Sequence, residues 1–176
     1  MIFQETNLKG SYIIDIERHE DKRGFFARSF CQKEFKKLGL RTELAQCNIS
    51  FNLNKATIRG MHFQKSPHEE AKLVSCLKGR VYDVIVDLRP NSETYCQWHS
   101  FELDENDYRM IYIPEGFAHG FQTLKNNSAV YYQMFEYFHA ESGMGVRWND
   151  SIFNIDWPLA VQNINERDKM YPDFIK

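Results

Sequence analysis

The 176-residue sequence predicts an all-β protein, an antiparallel sandwich or barrel, and three observations carry that prediction. Short runs of alternating, β-branched or aromatic residues dominate, among them "GSYIIDIE", "QWHSFEL", "RMIYIP" and "AVYYQMFEYF". Turn signals such as "LKGR", "RPNSET" and "LKNNSA" separate these runs at short spacing, as the strands of a sandwich or barrel require. Helical periodicity is scarce.

Taken in chain order, "GSYIIDIE" is the first strong strand signal. "CQKEFKKLGL" then sets Phe35 and Leu38 one helical turn apart and stops at Gly39, so a short helix is expected there. In "RVYDVIVDL", Tyr82, Val84, Val86 and Leu88 share one parity, while Asp83 and Asp87 fall on the other. One face of that strand is apolar and the other is mixed. In "IPEGFAHGF", Pro114 and Gly116 make a turn before a strand beginning near Ala118. "NERDKMYPDF" suits a turn or two of helix, with Asn165 as N-cap and Asp168 at the third position. The layout is an antiparallel β-jelly roll with short helices near both ends, one domain over residues 1–176.

Bulk properties narrow the function. A net charge of −2 with scattered Lys and Arg offers no basic stripe for nucleic acid, so an anionic ligand must be held by a few local cations. The four cysteines, at 31, 47, 76 and 96, show no CxxC spacing and no signal peptide precedes them, which suits a cytoplasmic protein with reduced thiols. The apolar runs fall far short of a membrane span. No Rossmann or P-loop glycine pattern is present, so a dinucleotide cofactor is not expected.

Several residues sit where chemistry is plausible. The stretch "IRGMHFQKSPHEEAKL" concentrates Arg59, His62, Gln64 and Lys72 around Gly60 and Pro67. Pro-x-Gly-x-x-His, ending at His119, is a feature of cupin-type jelly rolls, where such a histidine often binds metal. The accompanying His-x-His reads His62-Phe63-Gln64 here, and two imidazoles with an amide make a poor transition-metal site. No metal is therefore expected. Lys72 opens an apolar strand, either as an edge lysine or as a buried one in need of a partner, and Asp83 could be that partner. Asp83 could equally face solvent. Tyr132 and Phe138 share parity, so one strand would point both to the same side. Asp168 most simply caps its helix.

Together these residues identify a resemblance. The chain resembles the dTDP-4-dehydrorhamnose 3,5-epimerase family over nearly its whole length. The stretches that carry it, in order, are "DKRGFF", "QCNIS", "IRGMHFQ", "AKLVSCLKGRVYDVIVDLR", "IPEGFAHGF", "VRWND", "IDWP" and "NERD". The resemblance implies a cofactor-free, cupin-like jelly-roll homodimer with an exchanged N-terminal segment. Its substrate would be a nucleotide-linked 4-keto-6-deoxyhexose. It places the catalytic base at His62 with Asp168 behind it, the opposing acid at Tyr132, and the enolate-stabilising cation at Lys72. It puts Arg59, Asp83 and His119 in the same pocket. Arg23, Phe26, Gln46 and Asn48 fall where nucleotide and phosphates are held, partly by the partner subunit.

The chemistry independently needs these residue types. Protons at C3 and C5 of a 4-ketohexose are α to the carbonyl, so loss of either gives an enolate. Imidazole, with a reference pKa of about 6.5, is a suitable base, and a fixed cation can hold the oxyanion. Gly60 should break the strand's alternation, because strict alternation puts Arg59 and His62 on opposite faces whereas the resemblance implies one pocket for both. The family resemblance implies dTDP-4-dehydro-6-deoxyglucose to dTDP-4-dehydrorhamnose chemistry at C3 and C5. Two departures, Phe138 for a tyrosine and Arg28 for a glutamate, alter the nucleotide end. They point instead to a tag other than dTDP, CDP first, with a C3-only epimerase on a CDP-linked sugar as the alternative. A metal cupin and a non-catalytic sugar-nucleotide binder are the competing classes.

Overall fold

The computed structural model describes residues 1–176 and is almost entirely β. Its strands are β1 (Ile2–Glu5), β2 (Tyr12–Asp15), β3 (His19–Asp21), β4 (Gly24–Phe26), β5 (Gln46–Asn52), β6 (Thr57–Gln64) and β7 (Lys72–Lys78). They continue with β8 (Arg80–Asp87), β9 (Trp98–Asp104), β10 (Met110–Ile113), β11 (Phe117–Thr123), β12 (Ser128–Met134), β13 (Gly143–Gly145) and β14 (Asn163–Ile164). Two short helices, α1 (Gln32–Lys37) and α2 (Glu166–Lys169), lie where the sequence placed them. No helix is long and apolar enough to cross a membrane.

Two large sheets face each other. One has the order β1-β2-β10-β7-β12-β5; the other runs β13-β6-β11-β8-β9, with β14 added parallel to β6. All other pairings are antiparallel, and β3 with β4 forms a separate hairpin. The space between the sheets is apolar where Val74, Cys76, Ile111, Ile113 and Val130 of the first meet Val81, Ile85, Leu103, Phe117 and Phe121 of the second. Alternation then explains the polar remainder of the interior. Lys72 shares parity with Val74, Tyr132 with Val130, His119 with Phe117 and Phe121, and Asp83 with Val81 and Ile85. The polar interior is the site.

Each sheet also buries its outer face. Behind the first, Phe35 of α1 is fully buried against Ile14, Leu73, Met110 and Tyr112. Full burial of a side chain this size contributes about 1.5–3 kcal/mol, which explains how a six-residue helix persists. Behind the second sheet, Val84, Val86 and Ala118 pack against Val146, Phe153 and Ile155 from the C-terminal segment. The apolar parity of β8 is therefore the outside of its sheet, covered by that segment. Its mixed parity faces inward, and Asp83 is wholly buried rather than on a solvent face.

The expected break in β6 is present. His119 of β11 pairs with His62, but Phe121 pairs with Arg59, so three steps on β6 oppose two on β11. Gly60 in this bulge has φ +132, and a Cβ there would meet Gly120 Cα at 2.5 Å. Only glycine fits that approach. The extra residue turns Arg59 and His62 toward one cavity.

Candidate active site

A cavity of about 1380 Å³ opens at the polar end of the sandwich, its wall drawn from both sheets and from α2. His62 stands on β6, half-exposed to it, and hydrogen-bonds Asp168 Oδ1 through Nε2 at 2.7 Å. The other Asp168 oxygen accepts the Gly60 backbone N–H at 3.2 Å. Burial alone would raise the Asp168 carboxyl. The hydrogen bond and charge of His62, the Gly60 N–H and the charge of Arg167 outweigh it and hold the group below its usual range. An ionised carboxylate only accepts, so His62 Nε2–H must donate to it, leaving the Nδ1 lone pair of a neutral ring free. Asn165, not Asp168, caps α2, its side chain accepting the Arg167 N–H at 3.1 Å. The helix serves to deliver Asp168 to His62.

Tyr132 comes from β12 in the opposite sheet. Its ring meets that of His119 edge-on, with centroids 5.9 Å apart. Burial, reinforced by the charge of Asp83 and only partly offset by Arg59, pushes the phenol well above its normal range. It therefore stays protonated. Behind His119 lies Asp83, whose Oδ2 accepts from His119 Nε2 at 2.8 Å with both residues buried.

Lys72 does not pair with Asp83, contrary to one sequence-based expectation. Its Nζ lies 2.7 Å from Glu70 Oε1, both side chains being buried, and 3.4 Å from the His62 carbonyl oxygen. Arg59 is steered by Asn52, whose Oδ1 accepts from Arg59 Nε at 2.7 Å. Glu70 and Asn52 were missed in the sequence. A signal for Glu70 was present, because two-residue spacing from Lys72 puts both on one side of an extended chain.

Gln46 and Asn48 of β5 also line the cavity, as does Phe138. Phe138 does so by a different route from the one expected: β12 ends at Met134, so strand parity with Tyr132 does not govern it. It is largely exposed at the mouth. Three further residues named from the resemblance lie outside this chain's own cavity. Arg23 and Phe26, in and beside the outlying β3–β4 hairpin, line no part of the cavity, with Arg23 ion-paired to Asp21 at 2.6 Å. Arg28 donates to Glu34 of α1 at 2.9 Å and is exposed, away from the cavity.

The donor atoms do not suit a metal. Gln64, at the position where a metal cupin would supply its second histidine, spends its amide on the backbone. Nε2 donates to the carbonyls of His68 and Tyr137, and Oε1 accepts the His139 N–H at 2.6 Å. It is a clamp between two loops. Beside it, His68, His139 and Glu141 have ligand-type atoms within 4.8 Å of one another. The two imidazoles, however, stack 3.6 Å apart and 8° from parallel, so their in-plane lone pairs cannot converge on one ion about 2.0–2.1 Å from each.

Comparison with known proteins decides the family. The family model described as dTDP-4-dehydrorhamnose 3,5-epimerase matches residues 5–176. The chain belongs to this family. The epimerase of this name from Methanothermobacter thermautotrophicus is 39% identical over 170 residues, covering 95% of this chain and 91% of its own. Among solved structures, the dTDP-4-dehydrorhamnose 3,5-epimerase of Elizabethkingia anophelis superposes with a TM-score of 0.95 at 40% identity, over 99% of this chain and 96% of that one. That of Bacillus anthracis, solved with TDP and pyrophosphate bound, gives 0.94 at 38% identity over 98% and 99% of the two chains. The cupin-like jelly roll expected from the sequence is the fold of this epimerase family.

Proposed function

We propose that this chain is a dTDP-4-dehydrorhamnose 3,5-epimerase, inverting C3 and C5 of a dTDP-linked 4-keto-6-deoxyhexose. The observation that carries the reading is the placement of an imidazole–carboxylate pair, His62 with Asp168, on one sheet and a protonated phenol, Tyr132, on the other, across one cavity. Inversion at a carbon requires a proton to leave from one face and return to the other. His62 Nδ1 removes the proton α to the C4 carbonyl, and Asp168 stabilises the imidazolium that forms. The electron pair of the broken C–H bond moves into an enolate, whose oxygen Lys72 stabilises without a metal. Tyr132 returns a proton to the opposite face, and proton exchange with solvent restores both groups. Repeating the cycle at the second α-carbon completes the reaction. A non-catalytic binder would need no base opposite an acid.

The nucleotide is dTDP on this reading. The bound TDP of the Bacillus anthracis relative supports it over CDP. Gln46, Asn48 and Arg59 would meet the nucleotide and its phosphates, with His119 at the sugar end and the buried Asp83 orienting His119 from behind. Arg23 and Phe26 would serve the cavity of a second copy. The uncovered outer face near β5 supports that dimer, because Ile49, Phe51 and Leu77 are exposed on it and Phe26 on the hairpin. The test of the activity is NMR of dTDP-4-keto-6-deoxyglucose in D2O with enzyme. Deuterium should enter at C3 and C5 as the rhamno product forms; absence of exchange at both carbons would refute the reading.

A further inference from the structure

We infer that Glu70 is the positioning residue for Lys72, acting through hydrogen-bond geometry rather than through its charge. The inference rests on the enolate role proposed for Lys72. An ammonium group has three N–H donors and no acceptor. In the structure one is directed at Glu70 Oε1, 2.7 Å away, and a second at the His62 carbonyl oxygen, 3.4 Å away. One donor is left. With two of the three directions fixed, the remaining N–H has a single cone into the cavity, where the sugar C4 oxygen would lie. Without Glu70, a four-carbon side chain holding one long hydrogen bond would sweep that cone.

Glu70 can perform this task because its own backbone is held. It sits in the loop between β6 and β7, where Gln64 Nε2 binds the His68 carbonyl at 2.9 Å and Lys65 N–H binds the Ser142 carbonyl at 2.9 Å. On its far side, the Ala71 carbonyl accepts the Phe135 N–H at 3.0 Å. The side chain is buried, so water does not compete for the ammonium.

The charge of Glu70 is the less useful part of the group. A carboxylate this close draws on the same positive field that the enolate needs. A neutral acceptor of the same shape would fix the same N–H. The two contributions separate in Glu70→Gln and Glu70→Ala, compared with Lys72→Met.

The measurements are kcat, KM, dTDP affinity by calorimetry and the rate of deuterium entry at C3. Glu70→Ala should lose roughly 10- to 100-fold in kcat and in C3 exchange, the scale of a misplaced catalytic group, with dTDP affinity unchanged. Glu70→Gln should restore kcat to within a few-fold of wild type. Wild-type kcat in Glu70→Ala would overturn the inference, and so would a Glu70→Gln as slow as Glu70→Ala. Retained activity in Lys72→Met would instead remove the enolate role itself, which keeps the two failures distinguishable.

Discussion

Gly60 and Gly120 approach so closely across β6 and β11 that a Cβ on Gly60 would lie 2.5 Å from the Gly120 Cα and 2.9 Å from the His119 carbonyl oxygen. That contact fixes the bulge which brings Arg59 and His62 to one cavity. Gly60→Ala combines a clash against backbone with a φ of +132 that alanine avoids. It should cost about 2–5 kcal/mol of stability, read as a lower urea midpoint. Folded protein that remains should show reduced kcat, because Gly60 N–H also holds Asp168. A variant of wild-type stability and rate would contradict the assignment of the bulge.

Asp168→Asn separates orientation from charge behind His62. The amide can donate as well as accept, so the ring is no longer held with Nδ1 free. By analogy with other His–Asp pairs, kcat should fall on the order of 10²–10⁴-fold while dTDP affinity holds. Equal loss of affinity would make Asp168 a structural residue only.

Much of this arrangement was legible in the sequence, and the failures have physical causes. Strands, α1 and the Asn165 cap follow from local parity, spacing and cap chemistry. The bulge at Gly60 was legible only together with the family resemblance, which puts Arg59 and His62 in one pocket. What local pattern could not supply was pairing across the fold. Asp83 belongs to His119 because β11 lies between β6 and β8, an order no single strand encodes. Lys72 therefore takes Glu70 from its own approach loop. Phe138 escaped its parity because β12 ends at Met134.

Asp87 makes the fold's stability depend on acid pH. Burial would raise its carboxyl, but hydrogen bonds from Arg89, Ser92 and Thr94 hold it at about 2, below the usual 3.8. A depressed carboxyl contributes stability above its unfolded value and loses it as pH falls through its folded value. The contribution here is about 2–3 kcal/mol. Asp87→Asn should lower the urea midpoint at neutral pH accordingly. The gap to wild type should then narrow as pH falls from about 4 toward 2. A gap that is constant across this window would show that the carboxylate's charge is not the cause.

The proposed exchange of the N-terminal hairpin predicts complementation between inactive chains. Arg23→Ala leaves a chain with its own His62 but no Arg23 to lend; His62→Ala leaves the reverse. Mixed heterodimers should regain one working cavity each, so the mixture should recover up to about a quarter of wild-type activity after subunit exchange. Recovery should follow the appearance of heterodimer by native mass spectrometry. Heterodimers without activity would mean that Arg23 serves no partner cavity.

The central claim is that His62 takes the proton on one wall and Tyr132 returns it on the other. The most direct test is NMR of dTDP-4-keto-6-deoxyglucose in D2O with His62→Ala and Tyr132→Phe, each checked for dTDP binding. The account predicts no exchange at C3 with His62→Ala. With Tyr132→Phe it predicts deuterium at C3 but little inverted product, since the base remains and the opposing donor is gone. Exchange at the wild-type rate in His62→Ala, or normal inversion in Tyr132→Phe, would contradict it.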